Sequence, residues 1–352
     1  MNTVLSMRQS RIKGLGLSYY HCLSRIVGRE FLLGDEEKEH FVVLMRKLEA
    51  FHGVRAVTYC VMSNHFHLLL EIPDPEITAL LDRETIIHRI GLLYDECTVE
   101  TVRQELARAA AAGNSRWEDE ILDRYRGRMG NLSTFLQELK QRFSAWYNRR
   151  HQRKGTLWEE RFKSLLVEGD EKALMTIAAY IDLNPVRAHM VDKVEDYRWS
   201  GYASAVAGNH WARIGLARIL RNSPQVSGEN FEQNWNETGK IYRLWLYDQG
   251  EVREVGDCGE AGTGRGKGGF TQAEVEAELE NGGKIPLHRI IRLRVRYLSD
   301  GAVFGSAAFV ESVFERHRAL FGEKRKTGAR QMKGADWEDL RVLRDLRIDR
   351  PG

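Results

Sequence analysis

Tyr59-Cys60-Val61-Met62-Ser63-Asn64-His65-Phe66-His67-Leu68-Leu69-Leu70-Glu71 decides how this chain is read. The run has the character of a β-strand, and strand side chains alternate between faces. His65 and His67 therefore project from one face, Phe66 and Leu68 from the other. Two imidazoles side by side on a rigid strand form half of a divalent-metal site. With 11 histidines in 352 residues, a His-x-His pair can also arise without function. Two half-buried or solvated strand histidines are the competing reading unless other residues join them.

A second stretch supplies candidates: Ala178-Ala179-Tyr180-Ile181-Asp182-Leu183-Asn184-Pro185-Val186-Arg187-Ala188. Leu174, Ile177, Ala178 and Ile181 recur at helical spacing. That predicts a helix over residues 172–183, ended where Pro185 restricts Asn184. Tyr180 and Asn184, one turn apart, share a helix face. An amide oxygen there can complete a hard-cation site, with the tyrosine hydroxyl over whatever the cation polarises. The same pair would serve equally as a half-buried helix tyrosine and a C-terminal cap before proline.

Together these stretches resemble the REP-associated tyrosine transposases, the single-tyrosine branch of the HUH endonucleases, where U is a bulky hydrophobe. The resemblance also rests on Gly155-Thr156-Leu157-Trp158-Glu159-Glu160-Arg161-Phe162-Lys163-Ser164 and Tyr197-Arg198-Trp199-Ser200-Gly201-Tyr202, and runs collinearly over about residues 15–205. Departures are Ser63, where the family usually has proline, and His189, where it usually has glycine. The resemblance implies a transposase-like enzyme of the cytoplasm and nucleoid. Its substrate would be single-stranded, hairpin-forming DNA of the repetitive extragenic palindrome type.

The residue types support that chemistry. Mg²⁺ or Mn²⁺ held by His65, His67 and Asn184 would act as a Lewis acid on a phosphodiester. Tyr180 would attack phosphorus, leaving a 5′-phosphotyrosine and a free 3′-hydroxyl. A non-catalytic hairpin-binding or regulatory protein is the alternative, and a metal phosphodiesterase using water a third. No small-molecule cofactor is expected, and monomer and dimer are both compatible with the sequence.

The length allows two domains. A net charge of +3 is too small to prove nucleic-acid binding by itself. The four cysteines show no zinc-type or Cys-x-x-Cys spacing, and no signal-peptide or membrane-length apolar run is evident. Strands are expected over residues 17–27, 54–62, 65–72 and 157–167, with helices over 35–51 and 132–149. That order, β-α-β-β-α-β, is the split βαβ of an α+β, ferredoxin-like HUH catalytic domain over residues 1–205. Residues 76–130 read as a helical insertion, covering either substrate or sheet surface.

Beyond it we expect a helical extension (206–255), a linker with seven glycines over 256–269, and a mostly helical basic module (270–352). The linker is not a phosphate loop, because Gly266-Lys267 is followed by Gly268. Helices over 287–298 and 307–321 flanking Ser299-Asp300-Gly301 are compatible with a helix-turn-helix-like unit or a plain helical accessory domain.

Positive charge concentrates in two blocks. Residues 140–163 hold eight Lys/Arg against two Glu, and residues 316–333 hold seven against Glu323. In the first, basic residues that track a backbone are interleaved with rings on which bases stack, a pattern suited to single strands. Lys140, Arg142, Arg149, Arg150, Arg153, Lys154, Trp158, Arg161 and Lys163 are the expected DNA contacts.

Overall fold

A computed structural model describes residues 12–220, 235–250, 296–332 and 337–344. The glycine-rich segment 256–269 and the expected helix over 272–280 lie outside them, as does most of that over 287–298.

The alternation read around His65 is real. Strands β1 (Ser18–Arg25), β2 (Arg55–Val61), β3 (His65–Ile72) and β4 (Lys163–Val167) lie in the order β2-β3-β1-β4 and pair antiparallel. Helix α1 (Asp35–His52) connects β1 to β2 and is stopped by Gly53 at φ 65°, a left-handed turn that costs glycine nothing. Helices α2 to α5 (Pro75–Ala79, Arg83–Leu93, Glu96–Ala111, Ser115–Arg126) and α6 (Leu132–Arg150) stand between β3 and β4. Both sheet faces are covered. Phe66, Leu68 and Leu70 pack with Phe41, Leu48, Phe135, Leu139 and Phe143 of α1 and α6. Leu69, two residues from His67, packs on the other face with α7 (Glu171–Asp182). A strand covered on both sides must be nearly all apolar, and the polar residues it does carry stand out.

The α2–α5 insertion builds a satellite core of Ile86, Ile90, Val102, Leu106 and Ile121 against Phe51 of α1. None of its residues lines the pocket described below.

Three sequence expectations are corrected. The strand expected from residue 157 begins at Lys163, because Leu157 to Phe162 form an irregular segment touching β1 through an Ile26–Trp158 bridge. The helix expected over 172–183 stands as α7 (Glu171–Asp182), but Pro185 does not end the helical path. Leu183 keeps helical dihedrals and a further turn, α8 (Asn184–Arg187), follows with Pro185 in its first turn, where the missing N–H costs nothing. The expected separate, mostly helical C-terminal module is partly sheet. After α9 (Gly201–Val206), α10 (His210–Ile219), α11 (Trp235–Gly250) and α12 (Arg296–Asp300), strand β5 (Val303–Ser306) pairs parallel with β4. Strands β7 (Leu340–Leu343) and β6 (Arg330–Gln331) then extend the sheet to seven.

Because β5 separates α12 from α13 (Ala307–Arg316), these two helices are not joined as a helix-turn-helix. Tyr242, Leu246, Leu298, Phe304 and Leu340 lie in the same core cluster as Tyr180, so these segments are not independent of the β1–β4 unit. Gly215 allows α10 to lie directly on β2, since a Cβ there would come within 2.6 Å of the Ala56 and Val57 carbonyl oxygens. Among the described residues no helix is long and apolar enough to cross a membrane.

Candidate active site

The C-terminal end of β1, the N-terminal end of β3 and the end of α7 meet at a pocket of about 280 Å³. His65, His67, Tyr180 and Asn184 all line it, together with Arg25, Arg29, Asn64 and Arg187. The structure thus brings together the four residues selected from two distant stretches of sequence. Their rings touch: His67 meets His65 at 5.1 Å and Tyr180 at 5.8 Å between centroids, both edge-on. His67 is 3% exposed and Tyr180 2%, whereas His65 is half-buried at the rim.

Partners that can only accept, an amide oxygen and a main-chain carbonyl, place a proton on Nδ1 of His65 and on Nδ1 of His21. The Asn64 amide nitrogen donates to the Arg29 carbonyl at 3.0 Å, leaving its oxygen to accept from His65 Nδ1 at 2.6 Å. In the neutral ring of His65, Nε2 is then the lone-pair nitrogen. His67 Nδ1 lies 2.8 Å from Nε2 of His21, and Nδ1 of His21 lies 2.9 Å from the Leu298 carbonyl oxygen. Burial pushes His21 down to about 4 despite the Leu298 hydrogen bond, with Arg187 acting in the same direction as burial. Burial, then His21, His65, Arg187 and Arg25, holds His67 well below the ordinary histidine range. Both rings are therefore neutral near pH 7.

Asn184 is engaged on both sides. Its Nδ2 donates to the Tyr180 and Ile181 carbonyl oxygens at 3.0 and 3.1 Å, and its Oδ1 accepts from Arg187. The Arg187 guanidinium also donates to the Tyr180 carbonyl at 3.1 Å and sits 4.2 Å from the centre of the Tyr180 ring. Among the described residues no cluster of three or more His, Cys, Asp or Glu could hold a metal ion. The available donor set is two imidazoles and one amide oxygen. Two neutral imidazole lone pairs with an oxygen donor fit a divalent cation, and the Asn184 oxygen has a second lone pair besides the one facing Arg187.

His189, standing where the resembled family has glycine, adopts φ 53°, the left-handed conformation that favours glycine. His189 holds this turn at some backbone cost. Arg29, φ 58°, is the other such residue beside the pocket.

The expected DNA contacts do not line the pocket. Arg149, Arg150, Lys154, Arg161 and Lys163 are exposed, with Arg150 paired to Glu36 and Lys163 to Asp300 at 2.8 Å. Arg153 is half-buried. Arg142 is turned toward the insertion, donating to the Tyr94 hydroxyl at 3.2 Å. Lys140 donates to the Glu160 carbonyl at 2.7 Å and is lowered to about 8, by burial and then by Arg161. Trp158 is a correction. Only 7% exposed, it packs among Phe41, Phe66 and Phe143 and has no open ring face for a base. The block nevertheless adjoins the pocket rim, because the Glu159 N–H bonds the Arg25 carbonyl at 2.9 Å.

Sequence reading missed His21, Arg25 and Arg29. His21 had one signal, a lone imidazole in the apolar run of β1. Its partner follows only from register, which sets Leu23 opposite His67 and His21 opposite Leu69 and so makes His21 and His67 diagonal neighbours.

No family model and no curated protein matches the chain. A solved structure of a REP-associated tyrosine transposase bound to a REP hairpin aligns over 57% of this chain and 87% of its own, at 14% identity and a TM-score of 0.36. A likeness that low carries no argument about chemistry.

Proposed function

We propose that the protein is a metal-dependent, transposase-like endonuclease and strand transferase acting on single-stranded, hairpin-forming DNA. The observation that carries this reading is the convergence of Tyr180, His65, His67 and Asn184 on one pocket walled by Arg25, Arg29 and Arg187. In this reading β1–β4 with α1 and α6 are the ferredoxin-like split βαβ unit of an HUH endonuclease.

The three arginines supply positive charge where a phosphodiester must sit. His65 and His67, through their Nε2 lone pairs, and Asn184, through its amide oxygen, would hold Mg²⁺ or Mn²⁺. When bound, the cation supplies Lewis-acid polarisation of the phosphodiester. The Tyr180 hydroxyl oxygen attacks phosphorus; an O–P bond forms, the P–O3′ bond breaks, the phenolic proton is released and the 3′ oxygen leaves as a hydroxyl. A phenol is a weak nucleophile at neutral pH, and Arg187 places positive charge beside this one. The resulting 5′-phosphotyrosine keeps the energy of the phosphodiester, so another 3′-hydroxyl can reverse the step and join strands. Arg149, Lys154 and Arg161, exposed on the basic block whose Glu159 N–H bonds the Arg25 carbonyl, would carry the strand away from the pocket.

The test is cleavage of an end-labelled single-stranded hairpin oligonucleotide with Mg²⁺ or Mn²⁺. Wild type should cut, and His65→Ala/His67→Ala should bind the hairpin without cutting. Equal cleavage by both proteins would refute the site.

A further inference from the structure

His21 belongs to none of the motifs that point to the pocket, yet it is 2% exposed and is bonded at both ring nitrogens. A main-chain carbonyl can only accept, so His21 Nδ1 carries the proton directed at Leu298. Its two nitrogens face a main-chain carbonyl and a second imidazole, so among the described residues no carboxylate is bonded to the ring to offset the cost of burying an imidazolium. A neutral His21 offers Nε2 as an acceptor, and the facing nitrogen, His67 Nδ1, must then be the donor. That leaves Nε2 of His67 as the lone-pair nitrogen. The two rings are also stacked, 5.1 Å between centroids at 18°, so the bond fixes ring orientation as well as protonation.

We propose that His21 is a positioning residue that, anchored on the Leu298 carbonyl, holds His67 in the Nδ1–H form with Nε2 available as a ligand. The proposal rests on the reading of His67 as a metal ligand. It gives the chain beyond residue 295 a part in the site. Leu298, on α12, is itself fully buried in the core shared with Tyr180, so the carbonyl that orients the relay is held by the C-terminal segments rather than by the β1–β4 unit. An outer partner of this kind tunes a ligating histidine through its second nitrogen, and its removal typically costs about 10- to 100-fold in metal affinity.

The experiment uses the full chain and two readouts. Long-range ¹H–¹⁵N correlation spectra of ¹⁵N-histidine-labelled, metal-free wild type report the His67 tautomer directly, and Mn²⁺ titration followed by electron paramagnetic resonance reports affinity. His67 should be protonated at Nδ1. His21→Phe, which keeps a ring but offers no acceptor, should weaken Mn²⁺ binding about 10- to 100-fold. His21→Gln, whose amide oxygen can still accept from Nδ1–H, should recover most of that affinity. An Nε2-protonated His67 in wild type overturns the proposal, as does wild-type Mn²⁺ affinity in a folded His21→Phe. If His21→Phe does not fold, the wild-type tautomer decides. A wild type that binds no Mn²⁺ refutes the metal reading of the pocket, whereas the tautomer tests the relay on its own.

Discussion

Asp182 sits on α7 between Tyr180 and Asn184 but is bonded away from the pocket, and its charge state should set how firmly that helix is held. Its carboxylate is fully buried and accepts from the Thr58 hydroxyl at 2.9 Å, the Tyr242 hydroxyl at 2.6 Å and the Tyr202 N–H at 3.3 Å. Burial raises its pKa from 3.8 to about 7, with the hydrogen bonds from Tyr242, Thr58 and Tyr202 opposing but not cancelling that push. A raised folded-state pKa means the native protein binds more protons than the unfolded chain between those values. The associated stability is fully present below pH 3.8 and is lost as pH rises through about 7. At about 1.4 kcal/mol per pH unit, the displacement amounts to roughly 4 kcal/mol, a large share of a typical domain's stability of about 5–15 kcal/mol.

The assay is urea denaturation of wild type and Asp182→Asn from pH 4.5 to 8. His21, lowered to about 4, acts in the opposite sense, its contribution being lost as pH falls from 6.5, but it is common to both proteins and cancels in their difference. The stability of wild type relative to Asp182→Asn should fall with pH up to about 7 and then level off. A difference constant across the whole range would refute the reasoning.

Other consequences can be checked separately. Trp158→Ala should destabilise the fold by about 3–5 kcal/mol in chemical denaturation, as expected for an aromatic removed from a packed core; near wild-type stability with weakened DNA binding would restore it as a stacking platform. Neutralising Arg149 and Lys154 should flatten the dependence of log affinity on log salt by about 0.7 for each single-strand phosphate that they neutralise in wild type, and an unchanged slope would mean that they touch no DNA. Asn184→Ala should lower Mn²⁺ affinity and recover cleavage at raised Mn²⁺, since an oxygen ligand rather than the nucleophile has gone; failure of any Mn²⁺ concentration to restore cutting would assign Asn184 to positioning Arg187 instead.

How much of this was legible depended on whether the governing interaction was local. The His65–His67 strand follows from period two, and the Tyr180–Asn184 pairing follows from the helical spacing, since α7 ends within a residue of the expected 183 and a further helical turn continues through Pro185. The four motifs nevertheless play different parts. Two line the pocket. In a third, Trp158 lies in the core. In the fourth, the Tyr197 hydroxyl donates to the Val61 carbonyl at 2.8 Å and Ser200 caps α9 through the Ala203 N–H, so that motif is scaffold. The strands of the C-terminal segments were illegible. At four, four and two residues, β5, β7 and β6 are too short for a periodic signal, and they exist because β4 offers an edge. His21 required the register of β1 against β3, which no single stretch contains. Asp182 was hidden for a like reason, since Thr58, Tyr202 and Tyr242 come to it from three other elements.

The measurement that bears most directly on the central claim is detection of the covalent protein–DNA bond. After incubation with hairpin DNA and Mn²⁺, a denaturing gel and peptide mapping by mass spectrometry should place the cleaved strand's 5′-phosphate on the peptide containing Tyr180. The adduct and cleavage should both vanish in Tyr180→Phe, which keeps the buried ring and removes only its hydroxyl, while hairpin binding persists. Cleavage without any adduct would assign the attack to water, and cleavage by Tyr180→Phe at near wild-type rate would contradict the account.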